Sequence, residues 1–154
     1  MIVAVACDHA GFALKAIVAD AVRAAGHEVL DLGTNNAETP VDYPDFAAAA
    51  GRAVLDRRAE RGVIICGSGV GAAVAANKLH GIRAGLCHDT YSAHQCVEHD
   101  DVNMLALGAR VIGSALAPEL VQAFLRARYT GEPRHARRLA KILALEREGG
   151  GSHG

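Results

Sequence analysis

The chain has 154 residues, 51% of them apolar and 21% charged, with a formal net charge of −1 at pH 7. This length suits one domain with a full hydrophobic core. The charge balance speaks against a nucleic-acid partner. No apolar run reaches membrane-spanning length and no basic-then-apolar leader opens the chain, so a cytoplasmic protein is expected.

The apolar run Ile2–Cys7 reads as a first strand, ending at Cys7-Asp8-His9-Ala10-Gly11. A helix is expected over Phe12–Ala25, closed by Gly26, and a second strand over Glu28–Leu32. Pro44–Arg57 reads as a helix, Val63–Cys66 as a strand and Gly71–Leu79 as a helix. Then come strand Ile82–Cys87, helix Tyr91–Glu98, strand Met104–Leu107 and helix Ala115–Arg128, with Asp89 and Ser114 as N-caps. A last helix, Pro133 to Glu146, has no strand after it and suits packing elsewhere, including on a second subunit. Residues 149–154 read as a flexible tail, leaving 1–148 as the domain. This alternation predicts an α/β, Rossmann-like, doubly wound five-stranded parallel sheet flanked by helices, with order 2-1-3-4-5.

In such a sheet a ligand binds at the carboxyl ends of the strands flanking the switch point, here strands 1 and 3. Asp8, His9, Cys66 and Ser68 are therefore expected together. The run Ile65-Cys66-Gly67-Ser68-Gly69-Val70-Gly71-Ala72 places a thiol between a strand and a small-residue helix. Three glycines let backbone N–H groups gather into an anion-holding nest, whose field favours a thiolate at Cys66. A base beside an anion hole is what enolisation requires. Cys66 as a packing residue is the competing reading, and for Cys7 and Cys87, inside apolar strands, packing is the expected one. All four cysteines, Cys96 included, are expected as free thiols.

Other motifs weigh less. Gly67-x-Gly69-x-x-Ala72 with Asp89 beyond it fits a dinucleotide fingerprint, but it is not at the first βα turn and Asp89 is explained as a cap. A non-catalytic nucleotide-binding module is therefore the alternative from another class. His94-x-Cys96-x-x-His99 has metal-like residues that diverge around one helix, so no metal is expected. His99, with Glu98, Asp100 and Asp101, forms a polar helix end that is expected on the ligand side. Arg134 and Arg138 are four apart on one helix face, a spacing that can clamp a phosphate.

These motifs together resemble the ribose-5-phosphate isomerase B family, which includes galactose-6-phosphate and allose-6-phosphate isomerases. The matching segments are Cys7-Asp8-His9-Ala10-Gly11-Phe12, Asp42-Tyr43-Pro44, Ile65 to Gly71 with Ala75-Ala76-Asn77-Lys78, and His99 through Asn103 to Gly108-Ala109-Arg110-Val111. Arg134-His135 with Arg138 completes them, so the likeness runs from about residue 2 to 145. The resemblance implies a cofactor-independent aldose–ketose isomerase interconverting ribose 5-phosphate and ribulose 5-phosphate through a cis-enediolate. Cys66 would be the base, Ser68 would assist by hydrogen bonding, and the N–H groups of Gly67, Gly69, Val70 and Gly71 among that loop would hold the enediolate oxygen. His99 would open the sugar ring and Asp8 would bind sugar hydroxyls. His9, Arg110, Arg134 and Arg138 would bind the phosphate, and Tyr43 would line the pocket. The family's homodimers, in some cases pairs of dimers, imply sites at a subunit interface that the C-terminal arginines reach. One departure is Asp100, where many members carry Asn. It points to a shifted substrate, such as a tetrose or hexose phosphate, or to a tolerated variant.

Overall fold

The computed structural model describes residues 1–150. In chain order the elements are β1 (Ile2–Cys7), α1 (Phe12–Ala24), β2 (Glu28–Asp31), α2 (Tyr43–Leu55), β3 (Arg61–Cys66) and α3 (Val70–Ala76). They continue as β4 (Ala84–Leu86), α4 (Thr90–Asp100), β5 (Met104–Gly108), α5 (Leu116–Arg126) and α6 (Pro133–Gly149). All strands pair in parallel in one sheet.

The period-two alternation of the strands divides the core into two unlike halves. Val3, Val5, Cys7, Val63, Ile65, Leu105 and Leu107 join a bulky cluster with Val18, Val22, Leu120 and Phe124 of α1 and α5. Ala4, Ala6, Ile64, Cys66, Met104 and Ala106 face the other way, against the alanines of α2 and α3. The small side chains bring those two helices close to the sheet, and Cys66 ends its strand on this side.

The sheet is α/β and doubly wound as expected, but the last two strands are exchanged: the order is β2-β1-β3-β5-β4. β5 is buried along its whole length and pairs on both sides, whereas β4 is three half-buried residues, the short form that suits an edge. With right-handed crossovers, stepping over β5 to β4 and back puts α3 beside α2 on one face and α4 beside α5 on the other. Gly108 marks the requirement in the sequence. A Cβ there would overlap the Ser68 carbonyl, so glycine is what lets the end of β5 lie against the turn after β3.

Boundary signals mostly held. Gly26 takes φ +85° after α1, and the Asp89 carboxylate accepts the Ser92 N–H at 2.7 Å. Ser114 is not a cap: α5 is entered through Ala115, and the first N–H groups of Leu116 and Ala117 already donate to the Gly113 carbonyl. The last helix carries through Gly149, the first residue of the expected tail, and residues 151–154 lie outside the described residues. Among the described residues no helix is long and apolar enough to cross a membrane.

Candidate active site

Asp8, His9, Cys66 and Ser68 do come together. They line an open cavity of about 350 Å³ with Ala10, Tyr43, Gly67, Gly71, Arg110 and Val111. It lies where the carboxyl ends of β1 and β3 part, and its volume suits a small polar molecule.

Each side chain is fixed by its backbone surroundings. β1 ends in a tight turn in which the buried Asp8 carboxylate accepts the Gly11 N–H at 2.8 Å. Gly11 presses on β3 so closely that a Cβ would overlap the Ile65 carbonyl. His9 Nδ1 accepts the Val41 N–H at 3.1 Å, which puts the ring N–H on Nε2, a donor for the cavity. Arg110 is held by two bonds from the loop after β5, Ala109 N–H to the Cys66 carbonyl and Arg110 N–H to the Gly67 carbonyl, both 2.9 Å. Its guanidinium lies over Gly67, and no carboxylate lies within ion-pair distance of it among the described residues. Tyr43, at the start of α2, packs its ring on Gly71, where a Cβ would stand 2.6 Å from Cζ.

Cys66 is buried at the end of β3, and its Sγ accepts the Gly69 N–H at 3.1 Å, an arrangement that stabilises negative charge on sulfur. Gly69 achieves this in the left-handed region at φ +78°, packed between Leu86 and Leu107. The Ser68 hydroxyl oxygen accepts the Val70 N–H at 3.1 Å, so its own proton is free to donate outward. The N–H groups of Gly67, Ser68 and Gly71 make no backbone hydrogen bond among the described residues, and all three residues face the cavity. A thiol, a hydroxyl and unpaired N–H donors therefore converge on one volume. Such donors stabilise a developing oxyanion.

Two of the other cysteines are shifted upward. Burial pushes the Cys7 thiol up to about 11. Cys87 is raised as well, chiefly by its hydrogen bond to Cys96 and then by burial. All four are free thiols.

His99, Asp100, Arg134 and Arg138 do not line this cavity. The helix end that carries His99 sits at the amino edge of the sheet, where Arg83 at the foot of β4 donates to the Asp100 and Asp101 carbonyls. The neighbouring Asn103 carbonyl accepts the N–H of Gly62, at the start of β3. The expected ligand-side position for His99 is thus corrected. A helix leaving the carboxyl end of one strand runs back antiparallel, so its last turn lies at the amino end of the next. From Arg61 to Cys66 the strand spans about 16 Å. His99 stacks on His135 of α6, ring centroids 3.9 Å apart, and so joins Arg134 in one basic cluster at that edge.

The competing motifs have other occupations. Asp89 caps α4 by accepting both the N–H and the hydroxyl of Ser92. His94 pairs with Glu98, Cys96 is buried, and His99 stacks on His135, so the three point apart. Sequence reasoning missed the Val41 N–H that sets the His9 ring, and no side-chain pattern announces a backbone donor. It also gave no role to Ala10 or to Val111, which lines the cavity beside Arg110.

A model of the ribose/galactose isomerase family matches residues 3–142. Ribose-5-phosphate isomerase B of Escherichia coli is 44% identical over 144 residues, 94% of this chain and 95% of that protein. D-erythrulose-4-phosphate isomerase of Pectobacterium atrosepticum is 40% identical over 130 residues, 84% of this chain and 85% of its own. The solved structure of Clostridium thermocellum ribose-5-phosphate isomerase B superposes with a TM-score of 0.92 at 44% identity, covering 96% of this chain and 99% of that one. That of the Mycoplasma genitalium enzyme, with bound ribulose-5-phosphate, gives 0.88 at 36% identity, covering 96% and 97%.

Proposed function

The chain belongs to the ribose/galactose isomerase family, and from that premise we propose that it interconverts ribose 5-phosphate and ribulose 5-phosphate through a cis-enediolate. The observation that carries the reading is the Cys66 sulfur at the mouth of the Gly67–Gly71 nest, beside a rim of Arg110 and His9.

In this reading the Cys66 thiolate takes the proton from C2 of the open-chain aldose and returns it to C1. One proton moves between the C1 and C2 oxygens, so the step is redox-neutral and balances within the sugar. The free N–H groups of Gly67, Ser68 and Gly71 hold the enediolate oxygen, with Gly69 bonded to the sulfur and Val70 to Ser68. Ser68 donates its hydroxyl proton to a sugar oxygen, Asp8 accepts from sugar hydroxyls, and Tyr43 closes one wall. His9 Nε2–H and Arg110 bind the phosphate, whose charge lies away from the reacting carbons and so orients without taking part.

Ring opening by His99 and a phosphate clamp of Arg134 and Arg138 then require two copies of the chain. Within one copy that cluster and the cavity lie at opposite edges of the sheet. We therefore read the protein as a homodimer in which the amino-edge cluster of one copy faces the cavity of the other. Exposed Val70 and Val74 on α3, Val111 at the rim, and Ile142 and Leu145 on α6 supply apolar surface for that association.

The experiment is direct: mix purified protein with ribose 5-phosphate and follow ribulose 5-phosphate, with wild type and Cys66→Ala. Wild type should turn over, and the variant should lose about 10³-fold in kcat while remaining folded. A variant near wild-type turnover would overturn Cys66 as base. The Pectobacterium relative favours a second reading, a tetrose phosphate substrate. A folded wild type inert on ribose 5-phosphate but active on erythrulose 4-phosphate would select it.

A further inference from the structure

Among the described residues, one buried side-chain polar atom has no hydrogen-bond partner: His135 Nε2. The residue is 2% exposed, in the first turn of α6, with its ring against His99. Packing alone does not call for an imidazole there, because a buried nitrogen left unmet is unfavourable and an apolar ring would fill the space. A partner stands just out of reach. Glu132 Oε2 lies 3.9 Å from Nε2, and that same oxygen is engaged by Arg134 Nε at 3.2 Å.

We propose that Glu132 is a positioning residue for the anion clamp, neutralising Arg134 while the clamp is empty and passing to His135 Nε2 when Arg134 turns to a phosphate. The proposal rests on the reading of Arg134 as a phosphate ligand and adds to it the fate of the displaced carboxylate. The Glu132–Arg134 pair suits a temporary role: both side chains are more than half exposed, so the pair is weak and yields to a dianion. The groups facing His135 are His99 from α4 and Glu132, Arg134 and Arg138 from the α6 segment. Burial first, then His99 and Arg134, hold the imidazole below its ordinary range in the empty protein, with Glu132 acting against them. An anion that neutralises the arginines and frees Glu132 reverses the balance. His135 then takes one proton from solvent and closes an ion pair with Glu132, filling the one unmet contact in this region.

The test is calorimetric titration of the intact protein with inorganic sulfate, a dianion that does not itself titrate at about pH 7, where histidine can change charge. Repeating it in buffers of different ionisation enthalpy counts the protons taken up. Wild type should bind sulfate with net proton uptake. Glu132→Gln should bind sulfate equally or severalfold more tightly and lose most of that uptake. His135→Phe should lose it too, and the exposed Glu132→Gln keeps the test sound should the buried substitution fail to fold. Unchanged uptake in Glu132→Gln, or sulfate binding by wild type without uptake, would overturn the handover and leave the clamp standing. Sulfate binding that is absent, or insensitive to Arg134→Ala, would remove the clamp reading itself and the handover with it.

Discussion

The two edges of this sheet are built on opposite plans. At the carboxyl edge, backbone does most of the work: Gly11, Gly69, Gly71 and Gly108 let strands and turns approach closely, and the Gly69 N–H reaches Cys66. At the amino edge, side chains dominate, with His99, His135, Glu132 and Arg134 stacked or paired at the junction of α4 and α6. The first edge is a cavity whose lining carries one guanidinium, that of Arg110. The second has charge and acid–base groups that lie outside that cavity. Each has what the other lacks, and a two-fold pairing of chains is the simplest way to combine them.

Substitutions at the two edges should therefore fail differently. The largest loss beyond Cys66→Ala belongs to the carboxyl edge. Gly69→Ala forces an L side chain to φ +78° with its Cβ 2.6 Å from Leu86 Cδ1. It should cost about 1–3 kcal/mol of stability by thermal unfolding. It should also cost about 10²-fold in kcat, as the donor to Cys66 is displaced. Wild-type activity in a destabilised variant would separate the turn from the chemistry. At the amino edge, Arg138→Ala should raise KM for ribose 5-phosphate by about tenfold or more with kcat changed much less, since phosphate binding is remote from the reacting carbons. An unchanged KM would remove Arg138 from the clamp.

The smallest effect is in acid. Burial is the first cause lowering both His135 and His27 below the ordinary histidine value. The unfolded chain then binds protons more readily than the folded one, so stability is present above about pH 6.5 and is lost as pH falls from there toward the folded values. The midpoint of thermal unfolding should decline below that pH, and Glu132→Gln should steepen the decline by removing the group that favours a charged His135. A pH-independent midpoint between neutrality and about pH 5 would contradict this.

Much of the carboxyl edge was legible because its signals are local. Glycines and polar residues at strand ends mark Asp8, His9, Cys66 and Ser68, and the switch-point rule joins two turns about 58 residues apart in the chain. The exchange of β4 and β5 was missed although the runs differ: Arg83 and Gly85 interrupt Ile82–Cys87, whereas Met104–Leu107 is unbroken, as suits a central strand. A second mark is Gly108, whose missing Cβ makes room for the Ser68 backbone. The position of His99 followed from helix direction rather than residue type. The partnership of Glu132, Arg134 and His135 needed coordinates, since nothing in their spacing says that a buried nitrogen lacks an acceptor.

The central claim, that one chain's cavity is completed by another chain's amino edge, is tested most directly by mixing two inactive variants. Cys66→Ala damages the carboxyl edge and His99→Asn the amino edge, and each should be nearly inert alone on ribose 5-phosphate. After unfolding and refolding together, half the dimers are mixed. Each mixed dimer carries one site with both edges intact, so activity should return to about a quarter of wild type. If refolded wild type is fully active and the mixture stays as inactive as its parents, the two edges do not act across a subunit boundary, and the account is wrong.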